Sequence, residues 1–163
     1  MLWDDATPPR ERTLVEHVEE VTDVAFSPDG ALLCSASADG EVRVWDARDA
    51  ALLHVLNTYA DEPDELRFTD GGHTLLVAIP GEEDRVRRFD LRDGRDLDPG
   101  VAHLDGVEHI VVSAAGWVAS TDGSRTARRW DVATGAQVPL AGHVDMVMDL
   151  ALAPAGDLLA TVS

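Results

Sequence analysis

The stretch from His17 to Asp46, HVEEVTDVAFSPDGALLCSASADGEVRVWD, constrains this chain more than any other, because degenerate copies of it fill nearly all the remaining sequence. Its own physics is that of short strands joined by tight turns. Val21–Phe26 puts apolar residues at 24 and 26, with Val21 leading in, the pattern of a half-buried strand. Ser27-Pro28-Asp29-Gly30 supplies a turn, since proline presets a negative φ and glycine accepts a positive one. Leu32–Ser37 predicts a second strand of small and apolar residues, and Ala38-Asp39-Gly40 predicts the hairpin that closes it. Glu41–Trp45 alternates polar and apolar strictly, and Leu52–Leu56 makes a fourth strand.

The copies are marked by an aromatic residue followed by Asp: Trp3-Asp4, Trp45-Asp46, Phe89-Asp90 and Trp130-Asp131, at spacings of 42, 44 and 41 residues. Four short strands in about 42 residues is the period of a propeller blade. The chain divides accordingly into the end of a partial blade (1–16, with an outer strand expected over Arg12–Glu16), a blade (17–57), a degenerate blade (58–101), a blade (102–141) and the first half of a blade (142–163). The fold class is therefore all-β, about four blades' worth of four-stranded antiparallel sheets with one blade split between the termini.

Ser27-Pro28-Asp29-Gly30, Ser35–Gly40 and Val42-Arg43-Val44-Trp45-Asp46 resemble the WD40 repeat of β-propellers. The resemblance implies a hydrogen-bonded structural tetrad of His17, Ser37 (or Ser35), Asp39 and Trp45. Buried imidazole, hydroxyl and indole groups each need a partner, and a carboxylate in the turn accepts from them. Ser, His and Asp are the residue types of a catalytic triad, but a triad is defined by geometry and roles, and the tetrad is structural. In the second copy Tyr59, Gly81, Glu83 and Phe89 stand where the tetrad belongs, so apolar packing has to hold that blade. In the third, His103 and Trp130 fit, while Ser124 falls on the acid's place with Asp122 two residues earlier. The fourth opens with Gly142-His143, a pair typical of the family, and ends at Ser163.

Composition excludes several function classes. The net charge is -18 and all 13 basic residues are Arg. So acidic a chain repels phosphate backbones, which disfavours nucleic acid. No apolar run approaches the roughly 20 residues that cross a bilayer, no signal peptide opens the chain, and a cytoplasmic setting is expected. The lone Cys34 excludes an internal disulfide. His103, Asp105 and His109 match no standard metal-ligand spacing, and no phosphate loop or nucleophile elbow occurs. No cofactor, metal or catalytic residue is assigned. The absence of Lys resembles the codon usage of a GC-rich bacterial genome. Outward-facing polarity is the expectation for Arg87-Arg88 and Arg128-Arg129.

An acid occurs in every loop that leads into a first strand: Glu19 and Glu20; Asp61, Glu62 and Asp64; Asp105; Asp145. The family resemblance puts these loops on one rim, where partners dock. A ring of carboxylates there favours a basic protein or peptide; the plainer account is that acids keep the chain soluble. Propellers of this family usually close with seven or eight blades, about 300 residues. Three closures are open: a fragment of a longer chain, a small four-bladed ring, or two chains sharing an eight-bladed ring. The expected function is a non-catalytic protein-interaction scaffold. The alternatives are a sensor segment of a larger bacterial signalling protein, such as a kinase or nucleotide-driven regulator, and an enzyme on a propeller scaffold.

Overall fold

The computed structural model describes residues 2–3, 11–58, 62–63, 65–79, 85–97, 101–102, 109–113, 117–131, 134, 136–153 and 158–163. Strands β1 (Leu2–Trp3) and β2 (Glu11–Arg12) pair antiparallel. The first complete sheet follows as a meander of β3 (Val21–Phe26), β4 (Leu32–Ser37), β5 (Glu41–Asp46) and β6 (Leu52–Asn57). Its two inner turns are closed by Gly30 N–H donating to Ser27 O at 2.8 Å and Gly40 N–H donating to Ser37 O at 3.1 Å. Both glycines are left-handed, at φ 69° and 78°, which explains why this residue type stands there.

The second sheet runs β7 (Glu65–Thr69), β8 (Thr74–Ile79) and β9 (Arg85–Asp90), with its outer strand in two pieces, β10 (Arg95–Asp96) and β11 (Val101–Ala102), both paired to β9. The third is β12 (His109–Val112), β13 (Trp117–Thr121), β14 (Thr126–Asp131) and β15 (Gln137–Ala141). A two-stranded sheet of β16 (Asp149–Leu152) and β17 (Leu159–Val162) follows. The first strands β3, β7, β12 and β16 lie beside one another in turn, so successive sheets stack like blades of a fan.

Stacking explains where the core sits. Cys34, Ala36, Val42, Val44 and Leu56 of the first sheet pack on Leu66, Leu75, Val77, Ile79 and Phe89 of the second. The second sheet's other face, Leu76, Ala78 and Val86, meets Ile110 and Val118 of the third. Ala119 and Ala127 of the third meet Val147 and Leu150 beyond it. A sheet covered on both faces has no polar side, which is why β8 reads TLLVAI without alternation and is buried throughout. One expectation fails locally. The outer strand of the first partial blade covers only Glu11–Arg12, paired to Trp3 and Leu2, and Thr13–Glu16 is irregular.

Candidate functional site

The most ordered polar cluster lies at the turn end of the first sheet. Trp45 Nε1–H donates to Ser35 Oγ at 3.0 Å, and Ser35 Oγ lies 2.8 Å from His17 Nε2. His17 Nδ1 lies 2.9 Å from Asp39 Oδ2. With the imidazole proton assigned to Nδ1, the contacts form a relay: the indole donates to the hydroxyl, the hydroxyl to the imidazole and the imidazole to the carboxylate. Arg43 Nη1, itself a donor, sits 2.5 Å from the same Nδ1 and shares Asp39 Oδ2 with it. Asp39 Oδ2 also accepts from Val18 N–H and Arg43 Nη1, each at 3.2 Å, while Oδ1 accepts from Glu41 N–H at 3.1 Å. Burial raises the Asp39 carboxyl, but the hydrogen bonds from His17 and from the two amides outweigh it and hold the group at about 2.

The hydroxyl of this network is Ser35, not Ser37. The two share a face of β4, so parity does not separate them, but register does. Trp45 stands opposite Leu33, which makes Ser35 its diagonal neighbour, within reach of an indole; Ser37 is two residues farther along. Ser37 Oγ instead accepts from Asp39 N–H at 3.2 Å, shaping the turn. Ser35 is 4% exposed and Trp45 3%, and the Ser35 oxygen is already engaged by the indole and the imidazole. A hydroxyl so enclosed does not meet a substrate.

The other copies keep parts of this arrangement. In the second, Val77 takes the place of Ser35 and Phe89 that of Trp45, both buried in the apolar core; Tyr59, Gly81 and Glu83 lie outside the described residues. In the third, Ser120 occupies the Ser35 position and is buried, while His103 and the Trp130 side chain lie outside the described set. Asp122 is buried, accepts from Ser124 N–H at 2.9 Å and lies 3.9 Å from Arg128 Nε. The carboxylate has moved two residues and still faces the arginine equivalent to Arg43. In the fourth, His143 Nε2 reaches Thr161 Oγ1 at 2.6 Å and Nδ1 reaches Ser163 Oγ at 2.8 Å, with Gly142 before it at φ 150°.

The Asp that follows each aromatic caps the next loop. Asp46 Oδ1 accepts from Arg48 N–H at 2.8 Å, Asp90 Oδ1 from Arg92 N–H at 3.0 Å, and Asp131 Oδ1 from Thr134 N–H at 2.8 Å. Asp4 and the Trp3 side chain lie outside the described residues. The expectation that the paired arginines face outward is corrected at Arg87, which is 7% exposed. It donates to the carbonyls of Asn57, at 3.2 Å, and Thr58, and to the Asp96 carboxylate. Arg87 shares the β9 face of Phe89 that packs on the first sheet, and the end of that sheet at Asn57–Thr58 covers it. Arg43 is buried likewise, Arg88 reaches Leu97 O at 3.3 Å, and Arg129 stacks 4.7 Å over the Trp117 ring.

Among the candidate docking acids, Glu19, Glu20, Glu62 and Asp145 are exposed; Asp61, Asp64 and Asp105 lie outside the described residues. Ala38 N–H donates to Glu20 O at 2.9 Å, tying the Glu19–Glu20 loop to the rim that carries the tetrad turn. Sequence reading passed over the apolar residue at the same place in two copies. Val18 and Val144, each directly after the tetrad histidine, are 80% and 88% exposed. A valine inside an acidic loop was the available signal. Each exposed valine adjoins exposed acids in sequence, Glu19 and Glu20 in one loop and Asp145 in the other.

Among the described residues no group of three or more His, Cys, Asp or Glu is placed to hold a metal ion, and no helix is long and apolar enough to cross a membrane. Residues 9–46 match the family model described as WD domain, G-beta repeat. The matched segment contains all four tetrad residues, and the match supports the WD40 family. The stacked antiparallel sheets are consistent with a WD40-type β-propeller segment. WD40 repeats generally act as protein–protein interaction scaffolds and are generally non-catalytic.

Proposed function

We propose that this chain is a non-catalytic interaction scaffold whose partner docks on the rim formed by the loops before the first strands. The observation that carries this reading is the repeated exposed valine set among carboxylates, Val18 with Glu19 and Glu20, and Val144 with Asp145. A fully exposed valine contributes nothing to the fold, whereas on binding its burial is favourable. The surrounding carboxylates select a basic partner and accelerate its encounter at low salt. The partner of this reading is therefore a protein segment with alternating Arg and aliphatic residues, met in the cytoplasm.

The test uses a labelled peptide alternating Arg and Leu, followed by fluorescence anisotropy at low and at physiological salt. Binding to the wild-type chain, lost at least tenfold in Glu19→Arg/Glu20→Arg/Asp145→Arg and retained in Asp49→Arg, is the expected result. Asp49 is an exposed acid in the loop after β5, at the opposite end of the strands from the tetrad turn, so it reports charge alone. Equal loss in both variants, or no binding to the wild type, would refute the reading.

A further inference from the structure

The first strand of each sheet has a free edge whose N–H groups find no partner within that sheet, and unpaired backbone donors in a packed interface are costly. Two of them are satisfied in the same manner. Asp23 on β3 accepts the Leu66 N–H of β7 at 2.8 Å, and Glu65 on β7 accepts the Ile110 N–H of β12 at 3.0 Å. Asp23 and Glu65 occupy one repeat position, since they pair across to Ala36 and Ala78, the residues that follow Ser35 and Val77. At the first joint the Thr22 hydroxyl also donates to Pro63 O, and Arg67 links the two acids, bonded to Glu65 and 4.0 Å from Asp23.

In the third sheet the same position, opposite Thr121, is His109. The fourth has Asp149 there, opposite Val162. Leu150 N–H, the counterpart of Leu66 and Ile110, is held by its own neighbour Asp149 at 2.7 Å rather than by the preceding sheet. Across this third joint a backbone bond remains, from Val147 N–H to Ser124 O at 2.8 Å, and the fully buried apolar side chains of the third sheet are only Ala119 and Ala127, with Val111, Trp117 and Leu140 partly buried beside them. The first joint has leucines, Ile79 and Phe89 instead.

We propose that a first-strand carboxylate staples the first sheet to the second and the second to the third, and that the joint between the third and fourth sheets, where His109 replaces the acid, is the place at which the stack opens first. The staple couples neighbours because its acceptor belongs to one sheet and its donor to the next; a residue that caps its own strand couples nothing. Opening at the third joint exposes Val147 and Leu150 while leaving the first and second joints closed.

Residue-resolved hydrogen exchange of the full chain at neutral pH tests this. In the wild type the Leu150 amide is expected to exchange faster than those of Leu66 and Ile110. His109→Glu restores the acid at an exposed position of β12, and it is expected to slow Leu150 exchange at least tenfold, the factor that a coupling of about 1.4 kcal/mol produces. Glu65→Met keeps the side chain's length, removes the acceptor, and is expected to speed Ile110 exchange at least tenfold. Unchanged or faster Leu150 exchange in His109→Glu, or a lower melting temperature of that variant, would overturn the weak-joint assignment. Unchanged Ile110 exchange in a folded Glu65→Met would overturn the staple itself.

Discussion

Replacing Ser35 or Ser37 by Ala separates the two hydroxyls by free energy. Ser35→Ala removes the acceptor of the Trp45 indole N–H at 3.0 Å and the partner of His17 Nε2 at 2.8 Å. Each buried polar group left without a partner costs about 1–3 kcal/mol, so the pair predicts a loss of roughly 2–6 kcal/mol. Ser37→Ala removes only the acceptor of the Asp39 amide at 3.2 Å, for about 1 kcal/mol. In a chain of this size each kcal/mol moves the melting temperature by about 2–4 °C. Ser35→Ala is therefore expected to melt roughly 4–24 °C below wild type, and Ser37→Ala less than about 4 °C below. Circular dichroism melts and urea midpoints of the full chain read both. A double-mutant cycle with Trp45→Phe is expected to couple to Ser35 by about 1 kcal/mol and not to Ser37. Equal losses for the two serines, or coupling of Trp45 to Ser37, would refute the relay.

Asp39 sets a pH dependence. Its carboxyl is lowered from 3.8 to about 2 in the folded chain, so its contribution is present above pH 3.8 and is lost as pH falls toward 2. Acid titration by circular dichroism should be steeper for wild type than for Asp39→Asn in that window, and identical slopes would contradict it. Arg87→Leu should cost about 3–5 kcal/mol in urea unfolding, because it strips a buried cation from the Asp96 carboxylate and two carbonyls. Arg95→Ala, at an exposed side chain, should stay within about 1 kcal/mol. Leu75→Ala at the first joint should cost about 2–5 kcal/mol, against less than about 1 kcal/mol for the half-exposed Leu53→Ala. Cys34 is enclosed in that same core and burial pushes its thiol up, so a disulfide reagent should react with it only as fast as the chain opens. Prompt modification of the native chain would show that core to be open.

Strand order and turns were legible wherever a strand had one wet face. Glu41–Trp45 alternates because its odd and even residues meet different surroundings, and Asp39-Gly40 marks its turn. Legibility failed where a neighbouring sheet supplied the environment. Arg87 looks like a surface residue in sequence, yet the loop through Asn57 and Thr58 covers it. The choice between Ser35 and Ser37 required a register, which no composition or parity rule contains, although counting outward from the Asp39-Gly40 turn to place Trp45 opposite Leu33 would have settled it. The staples at Asp23 and Glu65 were hidden for another reason. Each is an acid in a strand of alternating polarity, ordinary by itself, and its partner is an amide more than forty residues away.

The sandwiching of β8 has an implication for how such a chain tolerates change. Contacts pass from each sheet to the next, so cohesion is close to a sum over neighbouring pairs, as in a one-dimensional array. The second sheet has Val77 and Phe89 where the first has Ser35 and Trp45, and it is pressed from both sides by apolar faces. A sheet pressed between apolar neighbours can thus trade polar specificity for apolar bulk, whereas the sheet of β3–β6 keeps its histidine network. In a fan assembled on these terms a sheet can lose its polar network without losing cohesion, as long as the hydrophobic volume between it and its neighbours is kept.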